Sequence, residues 1–266
     1  MKPWRKAWKQ RVKALLGVSR VADIPTSFVV WHGASLLDGA HIMAVATCVR
    51  EVSKNGKVGD AINVGIYRVD QSPYDAWTSE AIRSICPDSC QHRSDKHGDC
   101  YVNWGRLTAS WAGARERLDI QPPTGFWSGA MVRFGMAGDP AAVPLHVWET
   151  IASECRGWMG YTAHWRELSR EWSHIFMASV SNPADFLRAK SRGWRAYWAT
   201  EDSASDTIAE DLGVRACLSH SHGLECIACQ GCDGTRLDNA SKRASFYNPL
   251  HGLVGAKRRK DADVSS

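Results

Sequence analysis

No stretch of this 266-residue chain approaches the roughly 18 to 20 apolar residues that a membrane-spanning helix needs. The N-terminal MKPWRKAWKQRVKALL also lacks the unbroken apolar segment and small-residue cleavage site of a secretory signal. These absences predict a cytosolic protein with no membrane span. Acidic residues are missing from positions 1 to 20, which carry Lys2, Arg5, Lys6, Lys9, Arg11, Lys13 and Arg20. An even cysteine count is missing too: nine cysteines in a reducing compartment argue against a disulfide framework and for metal or redox chemistry.

What is present suits a folded domain. Hydrophobic residues make up 44% and charged residues 23%, ordinary proportions for a globular chain. The 13 tryptophans, spread from Trp4 to Trp198, read mainly as core and rim packing. The net charge of +5 is concentrated at the ends. Lys6, Lys9, Arg11 and Lys13, with Lys257, Arg258, Arg259 and Lys260, are therefore candidates for contact with nucleic-acid phosphates. A helical wheel sets Trp4, Trp8, Val12 and Leu15 on one face, so docking of this first segment on the body or on a partner is an equal expectation. The expected organisation is a basic amphipathic arm over 1–27, one α/β domain over 28–234 and a basic, flexible tail over 235–266.

From residue 28, FVVWHG, HIMAVATCV and AINVGIYRV are β-branched runs separated by Leu37-Asp38-Gly39 and by Asn55-Gly56, which predicts an antiparallel meander. SPYDAWTSEAIRSI and SWAGARERL read as helices on either side of a polar loop at 86–104. The second half alternates. MVRFGMAGD, GWMGYTAHW, HIFMASVSN, WRAYWATED and VRACLSHS read as strands, and PLHVWETIASEC, PADFLRAKSRG and SASDTIAEDLG as helices. That order predicts βαβ units around a parallel sheet, either a partial barrel or an open sheet, with a C-terminal metal-binding loop. Polar groups gather at the strand ends: Asp139, Thr162, His164, Ser181, Asn182 and Glu201 are candidates to line a substrate or cofactor rim. Asp139 and Asn182 also stand where helix caps belong.

The segment CLSHSHGLECIACQGC places Cys217, Cys226, Cys229 and Cys232 at C-x8-C-x2-C-x2-C spacing. Two-residue gaps turn successive thiolates toward one centre, and three in a row favour an iron–sulfur cluster over zinc, whose sites usually pair two separated knuckles. A zinc site could instead take Cys217 with His220 or His222. Cys86, Cys90 and Cys100 form a second set, with His92 or His97 as a candidate fourth ligand. Free thiols or a zinc clip are alternatives there. Cys48 and Cys155 read as packing residues.

The order CPDSC, CYVNWG, RFGMAGDPAAVP, GYTAHW, MASVSNPADFLRAKSRGWRAY and then the cysteine cluster resembles a family of proteins carried by bacteriophages and plasmids. It is also similar to radical-SAM-like phage proteins, in which a cysteine loop ending in Cys-Tyr precedes a Gly-Asp and a Tyr-Thr strand end. The resemblance covers 28–234. It implies a partial β/α barrel with Cys86, Cys90 and Cys100 on a cluster at its mouth, S-adenosylmethionine as a candidate cofactor and an auxiliary metal loop at 217–232. The third cysteine follows the second by ten residues where that family has three, which weighs against S-adenosylmethionine chemistry. The leading expectation is thus a mobile-element iron–sulfur protein in the host cytosol, with an unidentified small-molecule substrate. The alternative is a zinc-binding, replication-associated protein that holds nucleic acid through its basic ends.

Overall fold

The computed structural model describes residues 2–53, 55–236, 244–250 and 252–265, the side chains of 252–254, 258 and 265 excepted. The basic N-terminal segment folds as helix α1 (Pro3–Leu16), begun by a proline at its first turn and closed by Gly17 in the left-handed conformation at φ 65°. Its face docks on the body. Trp8 and Val12 are buried, and the Trp8 indole Nε1 donates to the Phe126 carbonyl at 2.7 Å. Arg5 is fully buried and donates to the carbonyls of Cys48, Val49 and Glu51. Lys9 Nζ donates to the Arg50 carbonyl at 2.6 Å. Leu15 lies outside this contact, at 41% exposure.

The expected meander is present. Strands β1 (Phe28–Ala34), β2 (His41–Thr47) and β3 (Ile62–Arg68) pair antiparallel, and β3 then pairs parallel with β4 (Met131–Arg133), which pairs parallel with β5 (Gly157–Met159). Between β3 and β4 lie α2 (Pro73–Trp77) and α3 (Thr108–Arg115), and α4 (Leu145–Glu154) joins β4 to β5. MVRFGMAGD is strand only at its start, because Gly135 and Gly138 take φ of 61° and 74° and turn the chain out of the sheet.

A second, wholly parallel sheet follows in the order β6-β7-β8-β10-β9. Its strands are β6 (Tyr161–Thr162), β7 (Met177–Val180), β8 (Ala196–Thr200), β9 (Arg215–Ala216) and β10 (Phe246–Pro249). The crossovers are α5 (Pro183–Ser191), capped by Asn182, and α6 (Ser203–Asp211), capped by Asp202. Only Gly160 separates β5 from β6. Its carbonyl accepts from the Met177 amide at 3.1 Å, so the stretch 157–162 belongs to both sheets. Phe176 stands 2.8 Å from where a Cβ on Gly160 would sit, so glycine is required there.

The chain's last part departs from the expected tail. VRACLSHS forms only β9 before turning into α7 (Leu218–Ser221), and β10 inserts between β8 and β9. Short helix α8 (Cys226–Cys229) carries two of the cysteines. Residues 252–265 form helix α9, held to α6 by the Arg259–Asp206 ion pair and by Asp263, which accepts from the Ser203 amide at 2.7 Å. The tail residues 237–243 lie outside the described residues. No helix among the described residues is long and apolar enough to cross a membrane.

Candidate functional site

Strand alternation builds the centre of the molecule. Residues two apart share a face of a strand, so Tyr197 and Ala199 of β8 point the same way, and with Arg133 at the end of β4 and Tyr161 of β6 they line one cavity of about 190 Å³. Cys86, Cys90 and Cys100 enter it from the loop after α2, and Cys226 enters from α8. The first cysteine set and one member of the second, more than a hundred residues away in the chain, thus meet one cavity, which Cys217, Cys229 and Cys232 do not line. All nine cysteines are free thiols.

Each cysteine loop wraps a buried arginine. Arg93, 1% exposed, donates to the Cys86 carbonyl at 3.1 Å and to Asp88 and Asp95, which folds 86–95 around its guanidinium. His92 Nδ1 lies 2.7 Å from Asp99, whose carboxylate is buried, the pairing that orients a histidine used as a ligand. The start of the loop is fastened to the turn that follows β4, where the Asp139 amide donates to the Ile85 carbonyl at 2.6 Å. In the second loop Arg195, 5% exposed, donates to Asp233 at 3.2 Å and to the carbonyls of Gly231, Gly234 and Ala244. That loop is tied to the rest of the chain through the Cys226 amide to the Lys57 carbonyl at 2.9 Å and the Gly160 amide to the Cys232 carbonyl at 3.0 Å.

Burial pushes the Cys86 thiol well up, and takes Cys90 to about 12 and Cys100 to about 11; the neighbouring thiols raise Cys86 and Cys90 further. Burial likewise raises Cys226 and Cys229 and takes Cys232 to about 12, with Cys217 adding to each. These thiols keep their protons at neutral pH in the free protein. A metal must displace them, which favours a soft, thiophilic one. Among the described residues, no three His, Cys, Asp or Glu side chains are gathered so that they could hold a metal ion. A multi-iron cluster asks less of its thiolates than one ion does, because each binds a different iron.

Polar groups complete the cavity. Asp139 accepts from the amides of Ala141 and Ala163 and from the Thr162 hydroxyl, at 2.9, 2.7 and 2.7 Å, yet burial still raises its carboxyl. Burial works against the charge on Arg133, but Tyr101, Tyr161, Cys226 and Tyr197 outweigh it and leave the guanidinium more basic. The Tyr161 and Tyr197 rings lie 4.4 Å apart, centroid to centroid.

The expected rim divides. Asp139 lines the cavity, Thr162 orients it, and the His164 amide donates to the Thr162 hydroxyl at 3.0 Å. Ser181, Asn182 and Glu201 do not line it. Asn182 caps α5, its Oδ1 accepting from the Asp185 amide at 2.9 Å. His92 reaches the cavity and His97 does not line it. Arg133, Tyr101, Tyr197 and Asn248 were not anticipated; the two-residue strand period was the available signal for Arg133 and Tyr197. Of the basic residues assigned to nucleic acid, Lys9 and Arg259 bond within the protein, Lys13 is half-buried, and Lys6, Arg11, Lys257 and Lys260 are exposed. The Arg258 side chain lies outside the described residues. Cys48, expected to be packed in a strand, follows β2 at φ 57°, half-buried beside a second cavity. No family model matches the chain, and no curated protein or solved structure matches it.

Proposed function

We propose that the chain is an iron–sulfur protein of the radical-SAM-like kind, encoded by a mobile element, with its two sheets forming a partial β/α barrel. Cys86, Cys90 and Cys100 hold a cluster at the cavity, with one iron left open beside His92, and Cys217, Cys226, Cys229 and Cys232 hold a second metal site. One observation carries this reading: three cysteines of the first set and Cys226 of the second line the same cavity, beside Arg133, Asp139 and the mutually tilted rings of Tyr161 and Tyr197. The donors fit the group, since thiolates are the ligands of iron–sulfur clusters and the loops that carry them are pinned by buried arginines. A cluster with an open iron position supplies ligand binding and one-electron exchange. With such a group bound, Tyr101, Trp104 and Tyr197 would wall the cavity from water, and Arg133 and Asp139 would orient a small polar ligand in it.

Metal analysis and an absorption spectrum on protein purified without oxygen test the proposal. Iron with acid-labile sulfide and a brown colour is the expected result. A colourless protein containing zinc alone, or no metal, overturns it.

A further inference from the structure

A second cavity, of about 600 Å³, adjoins the first, and Tyr101, Val102, Arg133, Met136 and Asn55 line both. None of the seven cysteines assigned to metal lines it, so binding there needs no cluster, although Arg133 and Tyr101 are shared with the first cavity. Its size falls within the range of small-molecule sites.

Its charges are one-sided. Three arginines, Arg50, Arg106 and Arg133, line it with a single acidic residue, Glu51. Arg50 is partly engaged, donating to the Ala22 carbonyl at 2.8 Å. Arg133 is 8% exposed and carries five N–H donors, yet among the described residues its side chain has one hydrogen-bond partner, the Tyr101 hydroxyl, and no ion pair. Its remaining nitrogens are not sealed off, since none is a buried atom without a partner. The Arg106 side chain has no hydrogen-bond or ion-pair partner among the described residues. A buried guanidinium normally finds a carboxylate or a set of carbonyls, as Arg5, Arg93 and Arg195 do in this chain. Arg133 has neither. The rest of the wall is uncharged and polar, with Thr47, Asn63, Asn103 and Ser110.

We propose that this second cavity binds a phosphorylated small molecule, its phosphate held by Arg133 and Arg106 and its hydroxyl or amide groups by the polar wall. Guanidinium forks match phosphate oxygens in pairs, which is why the buried, under-partnered Arg133 with the exposed Arg106 in one cavity selects this chemistry. The phosphate lies at the partition between the cavities, so the remainder of the ligand can extend into either.

Line broadening of the ³¹P resonance of inorganic phosphate, titrated with the full chain, tests this directly. Broadening is expected with the wild type, and Arg106→Gln and Arg133→Met should each weaken the affinity at least about tenfold, the change that accompanies loss of a charged hydrogen bond. Arg20→Gln, a change at an exposed pair with Asp23, should leave it unaltered. Arg106 is exposed, so its variant carries the test alone if Arg133→Met does not fold. Absence of broadening with the wild type, or full retention in either folded cavity variant, overturns the proposal. Competition against the bound phosphate then uses ribose 5-phosphate and adenosine monophosphate. Displacement by either supports an organic phosphate and tells sugar phosphate from nucleotide; displacement by neither overturns it.

Discussion

Gly138→Ala is the substitution that most directly tests how the first cysteine loop is held. Gly138 sits at φ 74°, where an L side chain costs roughly 1–2 kcal/mol. A Cβ there would also lie 2.8 Å from Ile66 Cβ, 3.0 Å from the Ile66 carbonyl and 3.2 Å from the Ile85 carbonyl. Two of these neighbours are backbone and cannot swing aside, so overpacking adds about 1–3 kcal/mol. The expected loss is about 2–5 kcal/mol. Gly39→Ala is the internal control: its φ is 80°, but nothing lies within 4 Å of its Cβ position, so only the conformational cost of roughly 1–2 kcal/mol applies. Denaturant unfolding followed by tryptophan fluorescence measures both. The next residue's amide bonds the Ile85 carbonyl, so Gly138→Ala should also speed thiol labelling of Cys86 and Cys90, and Gly39→Ala should not. Equal stability losses in the two variants, with labelling unchanged, would refute the argument that the turn after β4 clamps the cysteine loop.

Trp8→Ala should cost about 3–5 kcal/mol in the same assay, because it empties a buried indole site between α1 and Phe126; a loss under 1 kcal/mol would mean that α1 is a loosely attached arm. Arg195→Met should destabilise by about 3–5 kcal/mol, since it removes the buried ion pair with Asp233 and strips donors from three carbonyls, whereas Arg20→Met should stay within about 0.5 kcal/mol. Hydrogen bonding to Glu210 raises the Tyr247 hydroxyl to about 12. A raised folded-state value means the contribution is complete below the ordinary tyrosine range and disappears as pH climbs through about 12. Thermal melts across that alkaline window should therefore fall more steeply for the wild type than for Tyr247→Phe.

Much of the architecture was legible because its signals are local. Asn55-Gly56 and the flanking β-branched runs encode the meander, and alternation of short strands with capped helices encodes the parallel units. Strand β10 was not legible. Its four residues include Asn248 and Pro249, and its partners β8 and β9 lie about 30 to 50 residues upstream, so nothing near it in sequence marks it as a strand. The cysteines were recognisable by type and spacing, but their meeting at one cavity depends on Cys226 docking through its backbone on Lys57, a contact no local pattern contains. Ser181, Asn182 and Glu201 fell away because the chain has already left the sheet and turned toward a helix at those positions, where backbone capping claims the side chain of Asn182.

Gly160 has a mechanical consequence. Because the stretch 157–162 supplies an edge strand to each sheet, neither sheet can melt without stripping hydrogen bonds from the other, and the Met177 amide lies on that seam. The two sheets should therefore behave as one cooperative unit in hydrogen exchange, with the Met177 amide opening only when the whole molecule does. Motion at the cavity is then left to its walls outside the sheets, the two cysteine loops, and each of these is restrained by its own buried arginine while the shared strand stays fixed beneath them.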